Sequence, residues 1–123
     1  MPISYIADME RGRVRITVTA PVTVGEFTAA LDRQLADGVW TCARVVDFGE
    51  TAPPTLSRDM QLFIAHMRRL VERHGPRGPV AIVARSQPGV NAAHLYRQFS
   101  GRPDRQVDVF GSAAEADAWL DRI

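Results

Sequence analysis

The chain has 123 residues, a length that predicts one domain spanning residues 1–123 with a single buried core. Its hydrophobic fraction of 46% and charged fraction of 24% are those of a typical globular protein, which excludes disorder over the whole chain. A net charge of +1 gives no strong attraction to nucleic acid or to an anionic membrane, and the lack of lysine excludes Schiff-base and P-loop lysine chemistry.

The first elements in chain order form a predicted hairpin. Residues 3–7 are a short apolar run, residues 8–12 carry turn residues, and residues 13–20 alternate apolar and polar side chains. This period of two indicates a second strand with one buried and one wetter face. We expect the wetter face to be solvated, or covered by a partner or a second copy of the chain; it carries Arg13, Arg15, Thr17 and Thr19.

A helix and a third strand follow the hairpin. Thr23 and Glu26 have the spacing of a capping box, and apolar residues at helical spacing predict a helix that ends at Gly38. Residues 43–48 then predict a strand whose end is polar, at Asp47.

The longest helix and a central strand come next. An apolar stripe indicates a helix that begins at Ser57 and stops before Gly75. Residues 80–84 are continuously apolar, which is typical of a strand covered on both faces.

The last elements repeat this alternation. A turn over residues 86–89 leads into a predicted helix over residues 90–100, and residues 107–110 predict the last strand. Ser112 and Glu115 have the spacing of a second capping box, which introduces a short final helix.

The element order is therefore ββαβαβαβα, which defines an α/β fold class. Each later strand is followed by a helix, and such crossovers are right-handed and join parallel strands. We predict a mostly parallel five-stranded sheet with an antiparallel hairpin at one edge.

This order and its spacing resemble a known family. The stretches that carry the likeness are Gly12-Arg13-Val14, Pro21-Val22-Thr23, Val45-Val46-Asp47, Val80-Ala81-Ile82-Val83-Ala84, Ala92-Ala93-His94-Leu95-Tyr96, Val109-Phe110 and Ala118-Trp119-Leu120. Together they resemble the anti-sigma-factor-antagonist (STAS) superfamily, and more closely the small bacterial proteins called stage II sporulation protein AA-like. The resemblance implies a superhelix of β-α units and a non-enzymatic role, either binding a partner protein or, as in related folds, carrying an apolar ligand.

The chain departs from the family pattern at two places. Anti-sigma-factor antagonists carry a phosphorylatable serine in an Asp-Ser-Ser-Gly-type stretch after the third strand, whereas residues 49–57 here read GETAPPTLS. The phosphoacceptor motif is therefore absent. Close relatives often carry a basic residue early in the third helix, where this chain has His94.

The loop after the third strand is the first candidate site. Ligands of open α/β sheets bind at the carboxyl ends of the strands, and this loop carries Asp47, Thr55 and Ser57. One interpretation is a surface that docks a partner or is regulated. The alternative is that Asp47 merely ends a strand and Ser57 caps a helix.

The loop after the fourth strand is the second candidate. Free N–H groups at a helix N-terminus favour an anion or another polar ligand; the side chains near them are Arg85, Ser86, Asn91 and His94. The alternative is an ordinary strand-to-helix turn. An enzyme acting on an anionic substrate at this loop is a further hypothesis, although the sequence shows no catalytic motif.

A third candidate is an apolar pocket between two helices and the sheet. Its predicted lining is Met60, Phe63, Met67, Tyr96 and Phe99. Apolar stripes at helical spacing are also what an ordinary core requires, so the alternative is a filled interior.

The leading functional prediction is a small cytoplasmic regulatory module without catalysis, metal or cofactor. The cytoplasmic location rests on a single cysteine, Cys42, which forms no internal disulfide, on an N-terminus unlike a signal peptide, and on the lack of a membrane-span-length apolar window. The three histidines lack metal-ligand spacing. The alternative is a carrier or sensor of an apolar or amphipathic small molecule. The partners to expect are thus a protein, a small apolar ligand, or a second copy in a homodimer.

Overall fold

A computed structural model of the chain describes residues 3–19, 23–50, 57–100 and 106–123. The side chains of Ser57, Met60, Phe99 and Ser100 lie outside this description. The strands are β1 (Ile3–Asp8), β2 (Arg13–Val18), β3 (Ala43–Gly49), β4 (Val80–Ala84) and β5 (Val107–Phe110). The helices are α1 (Val24–Ala36), α2 (Ser57–His74), α3 (Gln87–Ser100) and α4 (Ala113–Asp121).

The strands form one sheet in the order β1-β2-β3-β4-β5. β1 pairs with β2 in antiparallel fashion, and the other neighbours are parallel. The predicted α/β fold, with a mostly parallel sheet and an edge hairpin, is therefore confirmed. Each parallel pair is joined through a helix, because parallel neighbours need a long crossover whereas the hairpin needs only a tight turn.

Two predicted boundaries are wrong. α3 begins at Gln87, three residues earlier than expected, because the Ser86 hydroxyl accepts the Gly89 N–H at 3.1 Å and Pro88 is tolerated in a first helical turn. The predicted turn over residues 86–89 is thus mostly helical. β2 ends at Val18 rather than at residue 20, which itself lies outside the described residues.

The helix caps follow the sequence closely at α1 and partly at α4. Thr23 and Glu26 form the complete capping box, and Gly38 takes the left-handed φ of +73° that ends the helix. At α4 the Ser112 hydroxyl accepts the Glu115 N–H at 3.2 Å. The Glu115 carboxylate accepts from the Ser112 hydroxyl rather than from the Ser112 backbone N–H. The predicted second capping box is therefore a simple N-cap.

The sheet has two differently covered faces. The three-helix face packs against α1, α2 and α3; its strand residues include Val18, Val46, Phe48, Val80 and Ile82. The α4 face packs against Ala116 and Leu120; its strand residues include Val45, Ala81 and Val83. Side chains alternate between the faces along each strand, so the continuously apolar β4 serves both.

Part of the predicted wetter face of β2 is covered by the chain itself. Arg13 donates to Asp117 at 3.1 Å and to Asp121 at 2.8 Å, and Arg15 donates to Asp117 at 2.9 Å. The expectation of a solvated or partner-covered face is therefore wrong for Arg13, whose side chain is only 10% exposed. The reason is that α4 returns across the sheet with two carboxylates facing these arginines.

Two features hold the segment between α1 and β3: the buried Arg44 side chain, and the close approach of the Gly78 backbone to Cys42. The fully buried Arg44 donates to the carbonyls of Val39, Trp40 and Cys42 at 3.1, 2.7 and 3.2 Å. A Cβ at Gly78 would clash with the Cys42 carbonyl, so only glycine fits there. These contacts fix Trp40 beside the residues that line the cavity described next.

Candidate ligand-binding cavity

A cavity of about 90 Å³ lies between α1 and the three-helix face of the sheet. The strands contribute Ile16, Val46 and Ile82 to its wall, and α2 and α3 contribute Phe63 and Tyr96. Protein interiors contain few voids larger than a water molecule. An apolar space of this size, bordered by three helices and the sheet, is therefore a candidate ligand site.

Four aromatic rings line the cavity in a continuous series. The Phe27 ring centroid lies 5.8 Å from those of Phe48 and Phe63, and Phe63 lies 6.0 Å from Tyr96. The rings are tilted or edge-on to one another, which is the favoured arrangement of aromatic quadrupoles. The four rings thus form one connected aromatic cluster in the wall.

Arg77 enters the cavity wall with its guanidinium engaged by neighbours. It lies 5.4 Å from the centroid of the Trp40 ring, and Nη1 donates to Met67 Sδ at 3.0 Å and to the Tyr96 hydroxyl at 3.3 Å. The Tyr96 hydroxyl in turn donates to Met67 Sδ at 3.3 Å. Met67 therefore lies behind the wall and orients two side chains that line it.

Gln34 of α1 is a buried polar residue in the wall of the cavity. Its residue exposure is 2%, and its Oε1 atom has no hydrogen-bond partner. The side chain lines both the cavity and an adjoining groove of about 190 Å³ between α1 and the hairpin. Gln34 thus lies where the two spaces meet.

The adjoining groove is more polar than the cavity. Arg33 places its guanidinium 5.6 Å from the centroid of the Tyr5 ring, and Glu26 lies at the other end of the same helix. Burial, followed by the nearby Asp37 carboxylate, raises the pKa of the Tyr5 hydroxyl above its ordinary value. The groove therefore joins an apolar interior to a charged rim.

The structure brings together two residues that the sequence assigned to separate loops. Arg85 Nη1 lies 3.2 Å from Asp47 Oδ1, which also accepts the Gly49 N–H at 2.8 Å. The Arg85 N–H donates to the Gly49 carbonyl at 2.9 Å, and Gly49 has a φ of +54°. The ends of β3 and β4 are thus joined by the very groups predicted to meet a partner or an anion.

The remaining loop candidates are scattered. Ser86 caps α3, Asn91 accepts from the Gln87 amide at 2.9 Å, and His94 is exposed. Thr55 lies outside the described residues, as does the Ser57 side chain.

The predicted apolar pocket overlaps the cavity only in part. Phe63 and Tyr96 line it and Met67 lies behind it, while the side chains of Met60 and Phe99 lie outside the described residues. Sequence reasoning missed Phe27, Gln34 and Arg77. Gln34 left a usable signal, since it is a polar residue on the apolar stripe of α1, three positions after Leu31.

Within the described ranges, His, Cys, Asp and Glu side chains form no cluster of three or more that is placed to hold a metal ion. No helix in the described part of the chain is both long and apolar enough to cross a membrane.

Comparison with known proteins identifies the fold. No protein-family model matches the chain, and no curated protein sequence matches it. A crystal structure of an uncharacterised DUF3478-family protein from Shewanella loihica PV-4, described as having a SpoIIAA-like fold, superimposes with a TM-score of 0.58. The two are 17% identical, and the match covers 96% of this chain and 91% of that one. The chain is therefore an α/β protein with a SpoIIAA-like fold, which confirms the predicted resemblance at the level of the fold.

Proposed function

We propose that the protein is a non-catalytic, cytoplasmic binding module that holds an apolar or amphipathic small molecule between α1 and the sheet. The observation that carries this proposal is the 90 Å³ cavity with its four aromatic rings. A single water needs roughly 10–15 Å³ of such space, so the cavity has room for a small ring or a short alkyl chain. Mostly apolar walls with a few polar groups are typical of small-molecule sites.

The groove supports the amphipathic form of this proposal. It shares Ile3, Ile16, Ala30 and Gln34 with the cavity, so the polar rim at Arg33 lies beside the apolar space. The Asp47 loop is a weaker candidate for ligand binding, because the Asp47 carboxylate already accepts hydrogen bonds from Arg85 and from the Gly49 N–H.

A substitution that fills the cavity tests the proposal. Ala93 lines the cavity, so Ala93→Leu projects three further carbons toward it, whereas Ala65→Leu adds the same carbons to the exposed side of α2. We expect indene to bind the wild-type protein and Ala65→Leu alike, and to bind Ala93→Leu at least tenfold more weakly, since the added side chain takes the ligand's space. Chemical-shift titration measures these affinities. Equal binding to all three proteins, or no binding to the wild type, would contradict the proposal.

The alternative, a module that binds a protein partner, is favoured by the exposed apolar side chains on the hairpin. Ile6 is 67% exposed on the edge strand β1, and Met9 follows in the turn. Native mass spectrometry of the protein purified from its own host separates the two functions. A bound molecule of small mass supports the cavity proposal; a stoichiometric protein partner with no small molecule favours the alternative.

A further inference from the structure

We infer that Gln34 makes the site selective for a ligand that carries a hydrogen-bond donor, an O–H or N–H group attached to a small apolar ring. This inference rests on the proposed function, because it names the chemistry of the molecule that enters the same cavity.

Gln34 differs in kind from the other buried polar side chains, because its amide oxygen is an acceptor whereas the guanidinium groups are donors. Among the described residues, Arg13, Arg44 and Arg77 are also buried, and each donates hydrogen bonds to other groups of the chain. The Gln34 Oε1 atom accepts none. A buried acceptor without a donor loses its hydration and gains nothing in return, so such groups are rare unless a ligand or water completes them.

Gln34 borders two spaces. It lines both the cavity and the groove, and its neighbours on the helix stripe are the apolar Leu31 and Leu35. A molecule that fills the cavity therefore contacts the Gln34 side chain. Nothing else about α1 requires a polar residue there, since its stripe is otherwise apolar.

The Gln34 amide and the aromatic rings together define the ligand class. An amide oxygen accepts hydrogen bonds, so it favours a ligand that donates one. The rings of Phe27, Phe48 and Phe63 suit a flat partner, which they contact through tilted and edge-on arrangements. Donor and ring together define the class as a small aromatic or alicyclic alcohol, phenol or N–H heterocycle.

Three isosteric probes test the donor requirement. Indole carries an N–H, indene carries neither donor nor acceptor, and benzofuran carries a ring oxygen in the corresponding position. We expect the wild-type protein to bind indole about tenfold more tightly than either of the others, because each 1.4 kcal/mol of hydrogen-bond and desolvation energy is a factor of ten.

Two variants assign this preference to one side chain. Gln34→Met keeps the length and removes the amide, and we expect it to bind indene at least as tightly as indole, because the indole N–H is then buried without an amide acceptor. Gln61→Met makes the same change at an exposed position of α2 and should retain the wild-type preference. Binding of indene to Gln34→Met also reports that this variant is folded with an open cavity.

A measurement on the wild-type protein makes the test independent of the variants. Indole should shift the Gln34 side-chain amide resonances well beyond the shift caused by indene. Equal affinity for the three probes, a preference for benzofuran, or a preference for indole that survives in Gln34→Met would overturn the role of Gln34. If none of the probes binds the wild type, the cavity proposal itself has failed, which is a different outcome.

Discussion

The two faces of the sheet are closed by different means. On the α4 face a helix of nine residues packs small and branched side chains together with one aromatic pair, Phe110 and Trp119. Arg13 and Arg15 bind the carboxylates of Asp117 and Asp121 beside them. On the three-helix face, longer helices meet the strands through large aromatic rings, and a cavity remains. The α4 face is therefore tightly packed, whereas the three-helix face leaves an apolar cavity.

On the three-helix face, α1 and α2 also contact each other directly. His66 Nε2 lies 2.9 Å from the Asp32 carboxylate, and Phe27 packs against Phe63 across the two helices. These contacts hold the helices together above the cavity without filling it. The helices on the three-helix face are therefore held in place by contacts with one another as well as with the sheet, and the cavity beneath them stays open.

The largest expected effect comes from adding the same side chain to each face. Ala116 is completely buried on the α4 face, so Ala116→Leu should lower the free energy of unfolding by about 3 kcal/mol through overpacking. Ala93→Leu, which points carbons toward the cavity, should change the free energy of unfolding by less than about 1 kcal/mol. Urea denaturation of both variants measures the difference. Similar losses would mean that the two faces are equally well packed.

An intermediate effect is expected from the ion pairs at the α4 face. Asp117→Asn removes the charge shared by Arg13 and Arg15 and should cost about 1–2 kcal/mol, because the Arg13 guanidinium is largely shielded from water. The matched control, Asp8→Asn, breaks only an exposed contact of 3.9 Å and should cost less than about 0.5 kcal/mol. The loss in Asp117→Asn should shrink in high salt. A loss as small as that of the control would show that apolar packing alone holds α4.

The smallest expected effect probes the groove through Tyr5. Its pKa is raised in the folded state by burial and then by Asp37, so above pH 10 the unfolded chain releases the phenolic proton first. The folded state then binds more protons than the unfolded state, and the free energy of unfolding falls as pH rises. Tyr5→Phe should show a shallower fall, and the tyrosinate absorbance of the wild type should appear at higher pH before unfolding than after it.

The difference between the wild type and Tyr5→Phe isolates Tyr5 from the second tyrosine, Tyr96. The chain has no lysine, so no side-chain amine titrates in the same alkaline range. Identical alkaline stability curves for the wild type and Tyr5→Phe would mean that Tyr5 is as well hydrated in the groove as in the unfolded chain.

Sequence reasoning succeeded for the architecture and failed for much of the site. The alternation of β2, the apolar run of β4 and the capping box at Thr23 are local patterns; each begins where it was predicted, although β2 ends two residues earlier. The start of α3 was misplaced because Pro88 and Gly89 look like turn residues although a first helical turn accepts them. Gln34 was overlooked because a single polar residue does not alter the amphipathic pattern that identifies a helix.

The sequence by itself determined which segments are strands and helices and the order in which they join, because periodicity, caps and crossover handedness depend on neighbouring residues and on chirality. Only the tertiary structure decided that Arg13 meets Asp117, 104 positions away, and that Asp47 meets Arg85. It also decided that four aromatic rings leave a space which the Gln34 amide adjoins. Such outcomes depend on how whole side chains pack across elements, and packing leaves no periodic signature in the chain.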